Sequence, residues 1–214
     1  RIESLDEMEY VVNQATHFLL AGTVYSDLPY GDVYKIREKN RRLGLGLMGI
    51  HEWLAVRGKP YGEDAELGKW LEVYTGSTHM ARKLAAKYNL SPPVKTRAIA
   101  PTGTIGIVGE TTTGIEPIFC TAYKRRYLAG GASWKYQFVV DPTARKLMDS
   151  GIHPAMIEDA YGLANDVERR VKFQAWVQQF VDHGISSTIN LPYPLDGEEA
   201  ITFGNMLYPY LPKL

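Results

Sequence analysis

Apolar residues recur at helical spacing from the start of the chain. Met8, Val11, Val12, Ala15, Phe18 and Leu19 follow one another in steps of three and four, which places them on one helix face. Ser4 followed three residues later by Glu7 reads as a capping box, and the helix should end near Gly22. Tyr30 to Asn40 is polar and reads as irregular. A second apolar stretch, Leu43 to Met48, leads into Ile50-His51-Glu52-Trp53-Leu54-Ala55-Val56, stopped by Gly58. Leu67, Leu71, Tyr74, Ala81, Leu84 and Ala85 share one face of a long helix predicted from about Asp64 to Tyr88. Pro92-Pro93 forbids its continuation.

The second half alternates between the two periods. Thr96 to Ala100 is a short strand running into Pro101. Ile118 to Tyr127 is aromatic and β-prone, Gly130-Gly131 marks a turn, and Phe138-Val139-Val140 is a short strand. Asp141-Pro142 opens a helix with proline at its first position. Asn165 with Glu168 gives a capping-box-like start, and Val167, Val171, Val177 and Val181 form a buried stripe up to His183-Gly184. Ser186 to Leu191 reads as a strand closed by Pro192, and a last helix covers about Gly197 to Tyr208. Strands separated by helices argue for an α/β fold. No repeat, low-complexity tract or linker divides residues 1–214, so one domain is expected.

Composition narrows the functional classes. Acidic and basic side chains balance at 24 each, which leaves no global electrostatic footprint for nucleic acid or an anionic membrane. The apolar share of 45% and charged share of 22% are those of a globular protein. One cysteine excludes an internal disulfide framework and suits a reducing compartment, and no stretch approaches the length of a membrane span. With no signal peptide in Arg1-Ile2-Glu3-Ser4-Leu5-Asp6-Glu7, a cytoplasmic location is expected.

Residues 98–117, Ala-Ile-Ala-Pro-Thr-Gly-Thr-Ile-Gly-Ile-Val-Gly-Glu-Thr-Thr-Thr-Gly-Ile-Glu-Pro, carry the candidate chemistry. Hydroxyls at Thr102 and Thr104 and glycines at Gly103 and Gly106 let several N–H groups approach one anion. Each charge-assisted bond would contribute roughly 1.5–3 kcal/mol. Phosphate is the obvious guest, although composition alone leaves open a turn that holds no ligand.

Pro101-Thr102-Gly103-Thr104, followed after nine residues by Gly114-Ile115-Glu116-Pro117, resembles the substrate-phosphate loop of ribonucleotide reductase catalytic subunits. Arg41-Arg42-Leu43-Gly44-Leu45-Gly46-Leu47-Met48-Gly49 is similar to the family's segment upstream of that loop. Ile185-Ser186-Ser187-Thr188-Ile189-Asn190-Leu191-Pro192 is similar to its strand near the end of the barrel. Tyr136-Gln137-Phe138-Val139-Val140-Asp141-Pro142 is closest to the adenosylcobalamin-dependent (class II) branch.

The resemblance implies the second half of a ten-stranded α/β barrel, with Thr102, Gly103, Thr104, Ile105 and Gly106 holding the substrate phosphates. It implies adenosylcobalamin, bound mostly by residues outside this chain, and a ribonucleotide substrate, tilted toward a diphosphate. It also implies a thiol reductant such as thioredoxin. The family's chemistry uses a thiyl radical and two reducing cysteines, with the radical cysteine in an Asn-x-Cys-x-Glu loop. This chain has Cys120 alone and no such loop. It therefore reads as a portion, inactive by itself, that needs the upstream half of the barrel in the same or a separate chain. A non-catalytic nucleotide-binding or barrel-completing module of a split protein is the alternative. An adjacent reading frame encoding Asn-x-Cys-x-Glu would favour the first.

Other constellations carry less. Gly44-x-Gly46-x-x-Gly49 matches a dinucleotide fingerprint, but Arg37-Glu38-Lys39-Asn40-Arg41-Arg42 precedes it where a hydrophobic strand should be, so close packing is the favoured reading. His17, His51, His79, His153 and His183 fall in no metal-ligand spacing, and no metal is expected. Cys120 reads as a small buried side chain in a strand. Glu116 reads as a structural hydrogen-bonding group, Lys124, Arg125 and Arg126 as a solvated rim, and Glu110 has no account from sequence.

Overall fold

The N-terminal helix forms as α1 (Leu5–Tyr25) in the computed structural model, which describes residues 1–131 and 133–214. Ser4 Oγ accepts the Glu7 N–H at 3.1 Å, as the sequence suggested. The Glu7 carboxylate accepts from Glu3 N–H at 2.7 Å, one residue before the cap. The helix passes Gly22 because the Ser26 N–H reaches Gly22 O at 3.1 Å and closes a further turn. Its buried residues are Met8, Val12, Thr16 and Leu20, a four-residue step narrower than the expected stripe. Val11 and Phe18 stay exposed because α1 meets its neighbours along one line only. Thr16 is tolerated inside because its hydroxyl donates to Val12 O at 2.7 Å.

Two helical expectations change. The polar segment after α1 is a helix, α2 (Gly31–Asn40), with no buried residue. It carries polar local ties such as Lys35–Asp32 at 3.0 Å and Leu28 N–H to the Tyr34 hydroxyl and no apolar stripe, so apolar periodicity had nothing to report. After α3 (Ile50–Val56), the long predicted helix is two, α4 (Ala65–Thr75) and α5 (Ser77–Lys87), interrupted at Gly76. The predicted face survives the break. Leu67, Leu71, Tyr74, Ala81, Leu84 and Ala85 are all buried, and α1 packs across both helices.

The α/β alternation appears as three parallel segments rather than as long strands. Leu45 bridges Arg97, and Ile99 bridges Ile185. Around these bridges Leu45 N–H reaches Thr96 O, Ala98 N–H reaches Leu45 O, and Ser186 N–H reaches Ile99 O at 2.8–3.0 Å. The segment leading into Pro101 is therefore central, flanked by the segments at 43–45 and 183–186. Helices α3, α4 and α5 make the first crossover. The second contains α6 (Gly103–Val108), α7 (Pro142–Asp149), α8 (Ala160–Leu163) and α9 (Val167–Gln178). The strand expected over Ser186 to Leu191 contributes only its first residue to this pairing. No closed barrel is present among the described residues.

Among the described residues the one regular sheet is a hairpin, β1 (Ala122–Ala129) paired antiparallel with β2 (Ser133–Val140). Cys120 precedes β1, is half-buried, and its thiol lies 3.2 Å from Ala122 O, so it is neither in the strand nor fully enclosed. Asp141 caps α7 as expected, accepting from Thr143 N–H at 2.8 Å and Ala144 N–H at 3.0 Å. The cap of α9 is Asp166 rather than Asn165. The chain closes with α10 (Gly197–Leu207), held by a reciprocal Asp196–Glu199 box. A core of Met8, Ile50, Leu54, Tyr61, Leu71, Ile99, Ile115, Phe173 and Val177 lies under the parallel segments. Full burial of each such side chain is worth roughly 1.5–3 kcal/mol.

Candidate functional site

Pro101 ends the central segment and Thr102 turns it, with φ 51°, into the left-handed region. For a threonine that conformation costs on the order of 1–3 kcal/mol and needs external support. Support comes from the second half of the motif, where the Gly114 N–H donates to Thr102 Oγ1 at 3.0 Å. Gly114 is itself left-handed (φ 48°), and a side chain there would meet Ala100 O at 3.1 Å. The two halves, twelve residues apart, are thus one unit.

The turn launches α6, whose first closed bond is Gly106 N–H to Thr102 O at 2.7 Å. The N–H groups of Gly103, Thr104 and Ile105 precede that bond and have no backbone acceptor among the described residues. All three residues are exposed. The Thr102 hydroxyl, having accepted from Gly114, keeps its own proton to donate.

The two glycines of the loop separate. Gly103 has a Cβ direction that meets nothing within 4 Å and a φ open to any residue, so nothing inside the chain demands a glycine there. Gly106 is buried, and a Cβ would stand 2.5 Å from Thr113 Cγ2 and 3.2 Å from Thr111 O. Gly106 is therefore a packing glycine whose N–H is already used. The expected five-residue cradle has free donors at its first four positions at most.

Behind the loop lies a charged network that the sequence did not announce. Arg170 of α9, only 4% exposed, donates to Glu116 at 2.8 Å, Ser187 Oγ at 3.1 Å, Thr188 O at 2.6 Å and the Tyr61 hydroxyl. Glu116 also accepts the Thr188 N–H, and Tyr61 donates to Ile115 O at 2.6 Å. Glu116 is thus structural, as read from sequence, and it joins the Gly-Ile-Glu-Pro turn to the segment at 187–188. Burial raises the Tyr61 hydroxyl well above its ordinary value, which keeps it a neutral donor. His51 stands edge-on to Tyr61, and its Nδ1 accepts the Ile118 N–H at 2.8 Å. Burial, reinforced by Arg170 and Arg169 and opposed by Glu158, lowers its pKa to about 4.

A second lock fixes the central segment from the other side. Asp182 accepts Arg97 N–H at 2.7 Å and Thr96 N–H at 3.0 Å. Burial opposes its charge, but those bonds and the Arg97 guanidinium outweigh it and hold the carboxyl below the usual range. Glu110, without explanation in the sequence, is left-handed (φ 49°) beyond α6, and its carbonyl and carboxylate meet Lys146 of α7 at 3.1 and 3.5 Å. The basic run is exposed on the hairpin, where Lys124 lies over Tyr136 at 4.6 Å and Arg126 over Trp134 at 4.4 Å. Arg170 and Asp182 left one sequence signal: a charge beside the buried Val171 and Val181 positions.

Residues 94–209, more than half of the chain, match the family model for the ribonucleotide reductase barrel domain. This match defines the class: the chain belongs to the ribonucleotide reductase barrel-domain family. Within it, the chain is 27% identical over 228 residues to the vitamin B12-dependent ribonucleoside-diphosphate reductase of Mycobacterium tuberculosis, covering 87% of this chain and 32% of that protein. The enzyme of the same name from Thermoplasma acidophilum is also 27% identical, covering 87% of this chain and 29% of its own length. A crystal structure of a B-12-dependent (class II) ribonucleotide reductase superposes with a TM-score of 0.74 over 95% of this chain and 32% of that one. At 15% identity that likeness concerns the fold alone. The chain spans about a third of the length of the curated relatives it matches.

Proposed function

We propose that these residues are the substrate-phosphate portion of an adenosylcobalamin-dependent reductase that converts ribonucleotides, as diphosphates, to deoxyribonucleotides by thiyl-radical chemistry. The observation that carries the reading is the exposed first turn of α6. Gly103, Thr104 and Ile105 present unused N–H groups on one side, Thr102 adds a hydroxyl proton, and Gly103 leaves open the space an anion would fill. Thr104 contributes a second hydroxyl. Gly106 enters the reading only as the glycine that lets the turn lie against Thr111 and Thr113.

Cys120 is the single cysteine, and one thiol cannot serve as both radical carrier and reducing pair. The thiyl and reducing cysteines are assigned to the part of the relatives' length that these residues do not span, and a separate thiol reductant such as thioredoxin would re-reduce them. The cobalamin is assigned there too. Two cavities along α1 hold about 260 and 370 Å³, a size for small ligands and not for a cobalamin. His51, the buried histidine, has its Nδ1 occupied by the Ile118 N–H at 2.8 Å. The role of this chain is accordingly to bind and orient the phosphate end of the substrate.

Nucleotide binding by the protein completed with its upstream half tests the reading. Gly103→Val should abolish it, and Thr104→Ala should lower affinity about tenfold to a hundredfold, corresponding to roughly 1.5–3 kcal/mol. Thr102→Ala should cost at least as much, because it also releases Gly114. Cys120→Ser should leave binding and turnover nearly unchanged. Loss of turnover in Cys120→Ser with binding intact in Gly103→Val would refute the loop assignment.

A further inference from the structure

The open cavity between the C-terminal end of α1 and the segment after α2 is built by elements other than the phosphate loop. It holds about 370 Å³, within the range of small-ligand sites, and its walls include Phe18, Thr23, Ser26, Arg37, Arg42 and Gly44. Arg41 is tied to the same wall. It is only 5% exposed, and its guanidinium bonds to hydroxyls alone, Thr23 Oγ1 at 3.1 Å and Ser91 Oγ at 3.2 Å. Arg37 gives one nitrogen to Ser26 O at 2.6 Å and lies over the Tyr34 ring, while its Nε is buried with no acceptor. Arg42 is exposed.

Among the described residues, no carboxylate lies within 4.0 Å of any of these three arginines. The C-terminus of α1, with no basic residue in its last turn, supplies roughly half a negative charge. The C-terminal end of α2, with Arg37 in its last turn and Arg41 at its cap, supplies a similar share, which leaves about two positive charges without a carboxylate partner, one of them on a guanidinium withdrawn from water. Such an arrangement is costly unless an anion completes it.

Two further residues of the walls, Gly44 and Phe18, leave room for a guest. Of the glycines in Gly44-x-Gly46-x-x-Gly49, Gly46 is required because a Cβ would stand 2.8 Å from Ala98 O, and Gly49 because its φ is +79°. Gly44 meets nothing within 4 Å and has an unrestricted φ. Phe18 is 78% exposed beside it, an aromatic face without a partner. We propose that this cavity binds a nucleotide, with Arg37 and Arg42 on the phosphates, Arg41 behind them, and Phe18 against the base.

The test is calorimetric titration of the full chain in the Gly103→Val background, which removes the loop as a competing phosphate site. ADP should bind, pyrophosphate should bind more weakly, and adenosine should bind at least tenfold more weakly than ADP. Affinity for ADP should fall as salt rises. Adding Arg42→Glu or Gly44→Val should lower ADP affinity at least tenfold. Neither should move the melting temperature, since Arg42 is exposed and a Cβ at 44 touches nothing. No ADP binding in this background, or binding indifferent to both substitutions, would overturn the site. Equal affinity for ADP and adenosine would overturn the phosphate contact, and equal affinity for ADP and pyrophosphate would overturn the base contact on Phe18.

Discussion

Gly103 and Gly106 stand one helical turn apart and answer to different demands. Gly106 is held by a threonine methyl and a backbone oxygen, neither with room to retreat from a Cβ. Gly106→Ala should therefore destabilise the fold by about 1–3 kcal/mol in urea unfolding, whereas Gly103→Ala should leave the midpoint unchanged. His51 offers a second residue-level test. Its folded pKa of about 4 lies below the ordinary 6.5, so the unfolded chain takes up its proton first as pH falls. The stabilisation is complete above about pH 6.5 and is lost progressively toward pH 4, by roughly 3 kcal/mol at most. His51→Asn keeps an acceptor for the Ile118 N–H but cannot titrate. Its unfolding midpoint should change less between pH 6.5 and pH 4 than that of the native protein.

At the scale of elements, the parallel segments are held at their ends by side chains more than by long ladders. Asp182 follows α9 and seizes two N–H groups of the central segment. Arg170 of α9 reaches Glu116 in the Gly-Ile-Glu-Pro turn and Thr188 O beyond it. α9 is thus a brace on the segment leading to the loop and on the turn that follows it. Asp182→Ala would strand the Thr96 and Arg97 donors and the Arg97 charge. It should cost about 2–3 kcal/mol and raise amide exchange over residues 96–99 first. Unchanged protection there would mean that the brace is dispensable.

The whole molecule leaves apolar surface facing outward. Ile105, Ile107 and Val108 on α6 are 61%, 73% and 82% exposed, beside the loop to which the proposed function assigns the substrate phosphate. In a protein of the relatives' length, further segments would cover that face. The 214-residue chain alone should bind a hydrophobic dye or self-associate, and adding the upstream half should suppress both. A cooperative melt of a dye-silent monomer would show instead that the chain is closed as it stands. No described helix is long and apolar enough to cross a membrane.

The sequence by itself determined the face shared by α4 and α5, the helix stop before Pro92-Pro93 and the proline-first start of α7. All of these are local, set by spacing and by single residues that restrict φ. The buried face from Leu67 to Ala85 and the Asp141-Pro142 helix start could be read directly for that reason. The turn at 101–106 was legible because its residue types follow from backbone geometry: a turn supported by a hydroxyl, then open N–H groups. What only the tertiary structure decided depends on residues distant in sequence. Whether Gly103 or Gly106 faces solvent is settled by Thr113 packing onto one of them. The polar α2 has no apolar stripe to betray it, and the strands are shortened to bridges because their neighbours end their pairing. Arg170 and Asp182 look like solvated helix charges in the sequence. Burial against Tyr61, Glu116 and Arg97 turns them into the posts on which the loop stands.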